Sequence, residues 1–251
     1  MNIPILIEVC SNSVTSALAA QNGGASRVEL CENLIEGGTT PSHGEILVSR
    51  KVLDIKLYVL IRPRSGDFLY SDIEFDVMVA DVQFCIEAGC DGIVIGMLNQ
   101  DGSVDKEHCE KLVNLAKQRG LGVTFHRAFD LCADMFQALE DIIEIGCERI
   151  LTSGGKTTAI EGSVTIANLI KKAAGRIIIM PGSGLSENNV ADLVHYTGAT
   201  EIHLSARSIR QSKMIFKNDH IMMGGKPGNE YAINETDAER VKQILKLVNE
   251  K

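Results

Sequence analysis

The chain has no tryptophan and only 4% aromatic residues. Stacking platforms for unpaired bases are therefore scarce. Positive charge is also short: 25 Lys and Arg stand against 33 Asp and Glu, a formal net charge of −8. Nucleic acid is excluded as a partner, because its phosphates call for a basic face. No apolar run approaches the roughly 20 residues of a membrane-spanning helix, and the N-terminus carries no basic, apolar leader. A membrane is not an expected partner either. The seven cysteines are odd in number and lack framework spacing. They read as reduced thiols, which makes the expected setting cytoplasmic.

What is present is a regular alternation. Strand-like runs recur at Ile5–Cys10, Arg27–Cys31, Leu57–Arg62, Gly92–Gly96, Gly122–His126, Arg149–Ser153, Ile177–Met180 and Glu201–Ser205. Their spacing is close to the ~30 residues of a strand–helix–strand unit. Helical periodicity fills the gaps at Phe75–Glu87, Lys106–Gln118, Met135–Ile145, Val164–Ala173, Val190–Thr197 and Asp237–Val248. Ser13, Ser71, Asp105, Asp134, Ser163, Ser186 and Thr236 are the predicted N-caps. Eight alternations across residues 1–251 with no break in composition predict a single-domain α/β fold, a TIM (β/α)8 barrel. A doubly wound sheet is the lesser alternative. No GxGxxG follows the first strand, so no nucleotide cofactor is expected. One long irregular stretch, Ile209–Asn234, precedes the last helix and is read as a flap, a homo-oligomer contact or a mobile segment.

Side chains alternate between the two faces of a strand. If the aliphatic face meets the helices, the barrel interior receives Glu8 and Cys10 from the first strand. It receives Arg27, Glu29 and Cys31 from the second, and Tyr58, Leu60 and Arg62 from the third. The fifth contributes Thr124 and His126, and the eighth Glu201, His203 and Ser205. The sixth and seventh strands are ambiguous and the fourth nearly featureless. Charges cost several kcal/mol to bury and are seldom kept without a role. Their expected place is the C-terminal mouth, where barrel sites form. The following turns carry Arg64, Arg127, the run Ser153-Gly154-Gly155, the run Gly182-Ser183-Gly184, and Arg207. Glycine turns at helix N-termini present backbone N–H groups to anions. With four arginines beside them, these turns predict an anion-binding mouth.

Two chemistries compete for this mouth. Thiols on adjacent strands, about 4.8 Å apart, can approach each other, and soft thiolates select Cu(I). Alternatively, Glu8 and Glu29 side by side would raise one carboxyl pKa and supply a general acid or base. His126 and His203 would then move protons, while the arginines hold a small phosphorylated or carboxylated substrate for isomerase or lyase chemistry. The remaining cysteines (Cys85, Cys90, Cys109, Cys132, Cys147) read as core, and Met214, Met222 and Met223 as gap-filling or subunit contacts.

Several long motifs carry a resemblance. Leu6-Ile7-Glu8-Val9-Cys10, Gly24 to Cys31, Glu36 to Ser42, Ile61 to Ser71, Val123 to Asp130, Arg149 to Gly155, Met180 to Gly184 and His203-x-Ser205-Ala206-Arg207 together resemble the CutC family of copper homeostasis proteins along nearly the whole chain. Ser65 stands where a second glycine is common. The resemblance implies a TIM barrel, a cytoplasmic setting and Cu(I) ligation, with Cys10 and Cys31 at the matching ligand positions.

Overall fold

In the computed structural model, residues 4–218, 220–221 and 230–249 are described. Eight parallel strands alternate with helices: β1 Leu6–Ser11, α1 Val14–Asn22, β2 Arg27–Leu30, α2 His43–Val52, β3 Lys56–Leu60, α3 Asp72–Glu87, β4 Gly92–Ile95 and α4 Lys106–Lys117. There follow β5 Gly122–Phe125, α5 Met135–Ile145, β6 Arg149–Thr152, α6 Ser163–Ala173, β7 Ile178–Pro181, α7 Val190–Thr197 and β8 Glu201–Leu204. The hydrogen-bonded order runs β7-β6-β5-β4-β3-β2-β1-β8. Strands β7 and β8 pack against each other across the remaining seam. This is the expected (β/α)8 barrel, nearly closed. Strands form at both ends of the region read as a long loop. Arg207–Gln211 (β9) and Ala232–Thr236 (β10) form an antiparallel ribbon leading into α8 at Ala238–Asn249. Met222 and Met223 lie outside the described residues, and Met214 is exposed.

The two strand faces build two separate apolar clusters. Outward residues such as Ile7, Val9, Val28, Ile93, Val123, Phe125 and Ile202 join Ala17, Met78, Leu112, Ile142, Ile166 and Ile244 of the helices in the main core. Each fully buried aliphatic side chain there contributes about 1.5–3 kcal/mol. Inside the barrel a smaller cluster joins Cys10, Cys31, Tyr58, Leu60 and Val94. Strand β4 looks featureless because Tyr58 fills the space beside it. A Cβ at Gly92 would come within 2.4 Å of the Tyr58 ring, and one at Gly122 within 1.9 Å of its hydroxyl.

Four predicted caps hold. Ser13, Ser71, Asp105 and Asp134 each accept a backbone N–H from the first turn, and Ser71 closes a capping box with Glu74. Three do not. Gly162 precedes α6, with Ser163 already helical. Asn189 precedes α7, with Ser186 back in the preceding turn. Thr236 ends β10, and the neighbouring Asp237 carboxylate receives the N–H groups of Glu239 and Arg240.

Candidate functional site

The register of the first strands explains how the polar side chains meet. Glu8 lies level with Arg27 on β2 and with His203 on β8, and Cys10 with Glu29. Period-2 alternation then sends Glu8 and Cys10, Arg27 and Glu29, and Glu201 and His203 into the barrel.

Arg27 and Glu201 open their strands, so they lie deep in the barrel and not at its mouth. There Arg27 donates to Glu8 through Nε and to Glu201 through Nη2 at 2.5 Å. Arg149 also reaches Glu201, at 3.2 Å, and donates to Thr124 and Glu148. Both guanidinium groups flank the Tyr58 ring, 5.1 and 5.2 Å from its centroid. Burial pushes the Glu8 carboxyl up, but Arg27 and His203 outweigh it and hold Glu8 well below the usual carboxylate range. Burial likewise opposes the charge on Arg27, and Glu8 with Glu201 restores it. Glu8 is thus a locked anion in the floor of the barrel.

Directly above the floor lies a cavity of about 320 Å³. His203 stands on the boundary. Its Nδ1 sits 2.8 Å from Glu8 and its Nε2 3.5 Å from Glu29. Burial disfavours its charge, yet Glu29, Cys10 and Glu8 together raise it well above the usual imidazole range. Burial raises Glu29, with repulsion from Glu8 adding to the shift and His203 opposing it. The two carboxylates diverge, Glu8 held down by Arg27 and His203 and Glu29 pushed up mainly by burial. Cys10 Sγ lies 3.2 Å from Cys31 Sγ. These sulfurs and a Glu29 oxygen all fall within 4.8 Å of one another. Hydrogen bonding to Cys31, followed by burial, raises the Cys10 thiol well above its ordinary value. This donor set suits a soft cation: two thiols at contact distance, with a harder oxygen beside them.

Arg62, Phe68 and His126 also line the cavity. Arg62 donates to the carbonyls of Glu36 (3.0 Å), Gly38 (2.5 Å) and Gly66 (2.8 Å). Its guanidinium lies 5.0 Å over the Phe68 ring. His126 Nδ1 accepts the Ala128 N–H at 3.1 Å, so the neutral ring carries its proton on Nε2. Burial, with the Arg62 charge, lowers this imidazole to about 3. In its neutral form His126 thus presents an N–H donor at Nε2.

The glycine turns divide sharply. Ser183, Gly184, Ser205, Arg127 and Arg207 line the cavity. The run Ser153-Gly154-Gly155 does not. Asp130 lies in its cradle and accepts from the Ser153 and Gly155 N–H groups, the Ser153 and Thr152 hydroxyls and Arg127 Nε. Gly154 N–H goes to Thr152. The anion expected there is the chain's own carboxylate. Arg64 is likewise engaged, pinning its loop through Glu74 (2.5 Å), Asp67 and Leu69. Gly182 packs instead of binding, since a Cβ there would meet Leu151 at 2.5 Å and His203 at 3.3 Å.

Sequence reasoning missed Arg149, Asp130 and the apolar walls Leu34, Phe68, Leu151 and Leu185. Arg149 opens a strand, Arg-Ile-Leu-Thr, with too little alternation to show which face it takes. The signal for Asp130 was its place three residues after Arg127, but the glycine turn that receives it follows the next strand and had to be known.

A (β/α)8 barrel with a thiol pair in a polar cavity at the C-terminal mouth of its strands is the class defined by this geometry. The CutC family model matches residues 5–208, and the chain belongs to that family. A CutC family protein of Xylella fastidiosa (strain Temecula1) is 49% identical over all of this chain and 91% of its own length. The human copper homeostasis protein cutC homolog is 48% identical over 95% of this chain and 87% of its own length. The solved structure of CutC from Streptococcus agalactiae superposes with a TM-score of 0.76 at 35% identity, covering 80% of this chain and 98% of that one. Among the described residues no helix is long and apolar enough to cross a membrane.

Proposed function

We propose that this chain takes part in copper homeostasis by binding Cu(I), as cargo, at Cys10 and Cys31. The observation that carries the reading is the contact between the two thiols, 3.2 Å apart and facing a cavity. Cysteine thiolates prefer Cu(I) over harder ions, and a reducing compartment supplies that oxidation state. Both sulfurs are free thiols, in keeping with a cytoplasmic setting. Glu29 stands where it completes the donor set, and the Leu34 and Leu60 walls limit water at the ion. The relatives named for copper homeostasis support the same role.

The test is anaerobic competition for Cu(I) against a chromophoric chelator. One equivalent should bind the wild type. Cys10→Ser with Cys31→Ser should weaken it by more than about 100-fold, the loss seen when even a supporting group is removed. Unchanged stoichiometry and affinity in the double variant would reject the reading.

Acid–base catalysis on a small anionic molecule is the second reading, and one observation favours it: Glu29 and His203 lie 3.5 Å apart at the cavity, and both hold their protons more tightly than is usual for their types. Turnover of a phosphorylated or carboxylated metabolite that is lost in Glu29→Gln would establish it.

A further inference from the structure

Two buried donors on the cavity wall have no partner. Among the described residues, Arg62 Nε and His126 Nε2 are fully shielded from solvent and make no hydrogen bond. The parent side chains are each only 5% exposed. A buried donor left unmade costs about 1–3 kcal/mol, so two together are rarely kept without something to fill them. They belong to one unit. The Arg62 guanidinium and the His126 ring both rest on Phe68, at 5.0 and 4.9 Å between centres. Both line the cavity that holds the thiols.

Their surroundings fix them in place. Arg62 is clamped by three backbone carbonyls through its terminal nitrogens. His126 is oriented by the Ala128 N–H, and a Cβ at Gly96 would come within 2.5 Å of its ring. The Tyr70 hydroxyl near Arg62 is also buried and makes no hydrogen bond. The unmet demand is therefore for an acceptor arriving from the cavity, and the adjacent guanidinium charge favours an anionic one. Arg207, which follows β8, also lines the cavity and carries a further positive charge.

We propose that the cavity binds a small carboxylate-bearing molecule, its two oxygens taken by Arg62 Nε–H and His126 Nε2–H. Two single N–H donors match the two oxygens of a carboxylate, whereas a phosphate dianion needs more donors than this wall offers. The volume, about 320 Å³, holds about ten waters' worth of ligand. Leu34, Leu60, Phe68 and Leu151 receive the apolar remainder. Because His126 is neutral, with its pKa near 3, the donor stays in place across ordinary pH. The carboxylate site shares the cavity with Cys10 and Cys31 but does not depend on copper.

Calorimetric titration of the full chain at pH 7 with acetate, butyrate, phenylacetate and inorganic phosphate tests this. At least one carboxylate should bind saturably with one site. His126→Asn keeps the acceptor for Ala128 N–H but removes the donor at Nε2, and should weaken binding at least about tenfold with the unfolding midpoint preserved. His126→Gln, which returns an N–H near the same point, should recover part of the loss. Carboxylate binding should be unchanged when an excess of a Cu(I) chelator is present, so that failure of the copper reading and failure of this one stay separate. The proposal is overturned if no carboxylate binds at about 50 mM, well above the millimolar range open to fragments of this size. Binding indifferent to His126→Asn overturns it too, as does phosphate binding with the same dependence where carboxylates fail.

Discussion

The floor and the cavity of this barrel use the same residue types to opposite ends. In the floor, Glu8, Arg27, Glu201 and Arg149 alternate in sign, and each charge meets its opposite at hydrogen-bond distance. One strand-level higher, Cys10, Glu29, Arg62 and His126 line the cavity, and the Arg62 Nε and His126 Nε2 donors have no partner. A closed network fixes a shape, whereas an incomplete one leaves a place for something else. The glycine turns repeat the contrast at smaller scale. Asp130 closes the turn after β6, while the turn after β7 stays on the cavity wall.

The largest expected effect comes from opening the floor. Arg27→Met removes the cation between two buried carboxylates. Breaking a buried pair in this way costs about 3–5 kcal/mol, since the uncompensated charge stays inside. Urea denaturation should show that loss, and retention of wild-type stability would mean that the floor network is not closed as described. Variants of the cavity should behave differently. His126→Asn and the double cysteine variant are expected to change ligand affinity while leaving the fold close to wild type.

Much of this architecture was legible from the strand runs. Glu8-x-Cys10 and Glu29-x-Cys31 place acid and thiol on one face because the strand repeat is two, and that repeat does not depend on neighbours. The depth of each residue was not legible. Glu8 and Glu29 look equivalent in the chain, yet one is locked under Arg27 and the other faces the cavity. That difference comes from the barrel's stagger, which sets Glu8 level with Arg27 and Cys10 with Glu29. Asp130 was hidden for a similar reason: its partners lie at the end of β6 and in the turn after it, and the pairing of β5 with β6 brings the two turns together. Helices α1 and α2 carried little periodic signal. In α1 the buried side is only Ser16, Ala17 and Ala20, which barely registers as an apolar stripe.

The turn after β6 offers the next test of the comparison. Asp130→Ala leaves the Ser153 and Gly155 N–H groups and Arg127 Nε without their acceptor, at an expected cost of about 2–3 kcal/mol. It also empties a ready-made anion cradle. Inorganic phosphate should then restore part of the stability in proportion to its concentration, as mass action requires of any ligand selective for the folded state. The wild type, whose cradle is filled, should gain much less. Equal gains in the two proteins would show that Asp130 does not occupy an anion site.

The smallest effect is read from pH. Glu8 has its folded pKa lowered from 4.5. It therefore contributes stability that is present above pH 4.5 and is lost as pH falls, because the unfolded chain takes up a proton that the folded one refuses. Glu29 and His203 are shifted upward. Their contributions are complete at low pH and fade as pH rises through their folded values. Below about pH 4.5 they add no slope, since both states are already protonated there. Asp91 and Glu187 are also lowered and contribute slope of their own, so the comparison has to be between variants. Stability of the wild type should fall more steeply than that of Glu8→Gln between pH 4.5 and 3, by up to about 1.4 kcal/mol per pH unit. Parallel curves would mean that Glu8 shares its proton with the folded state, and the floor would then be as open to chemistry as the cavity above it.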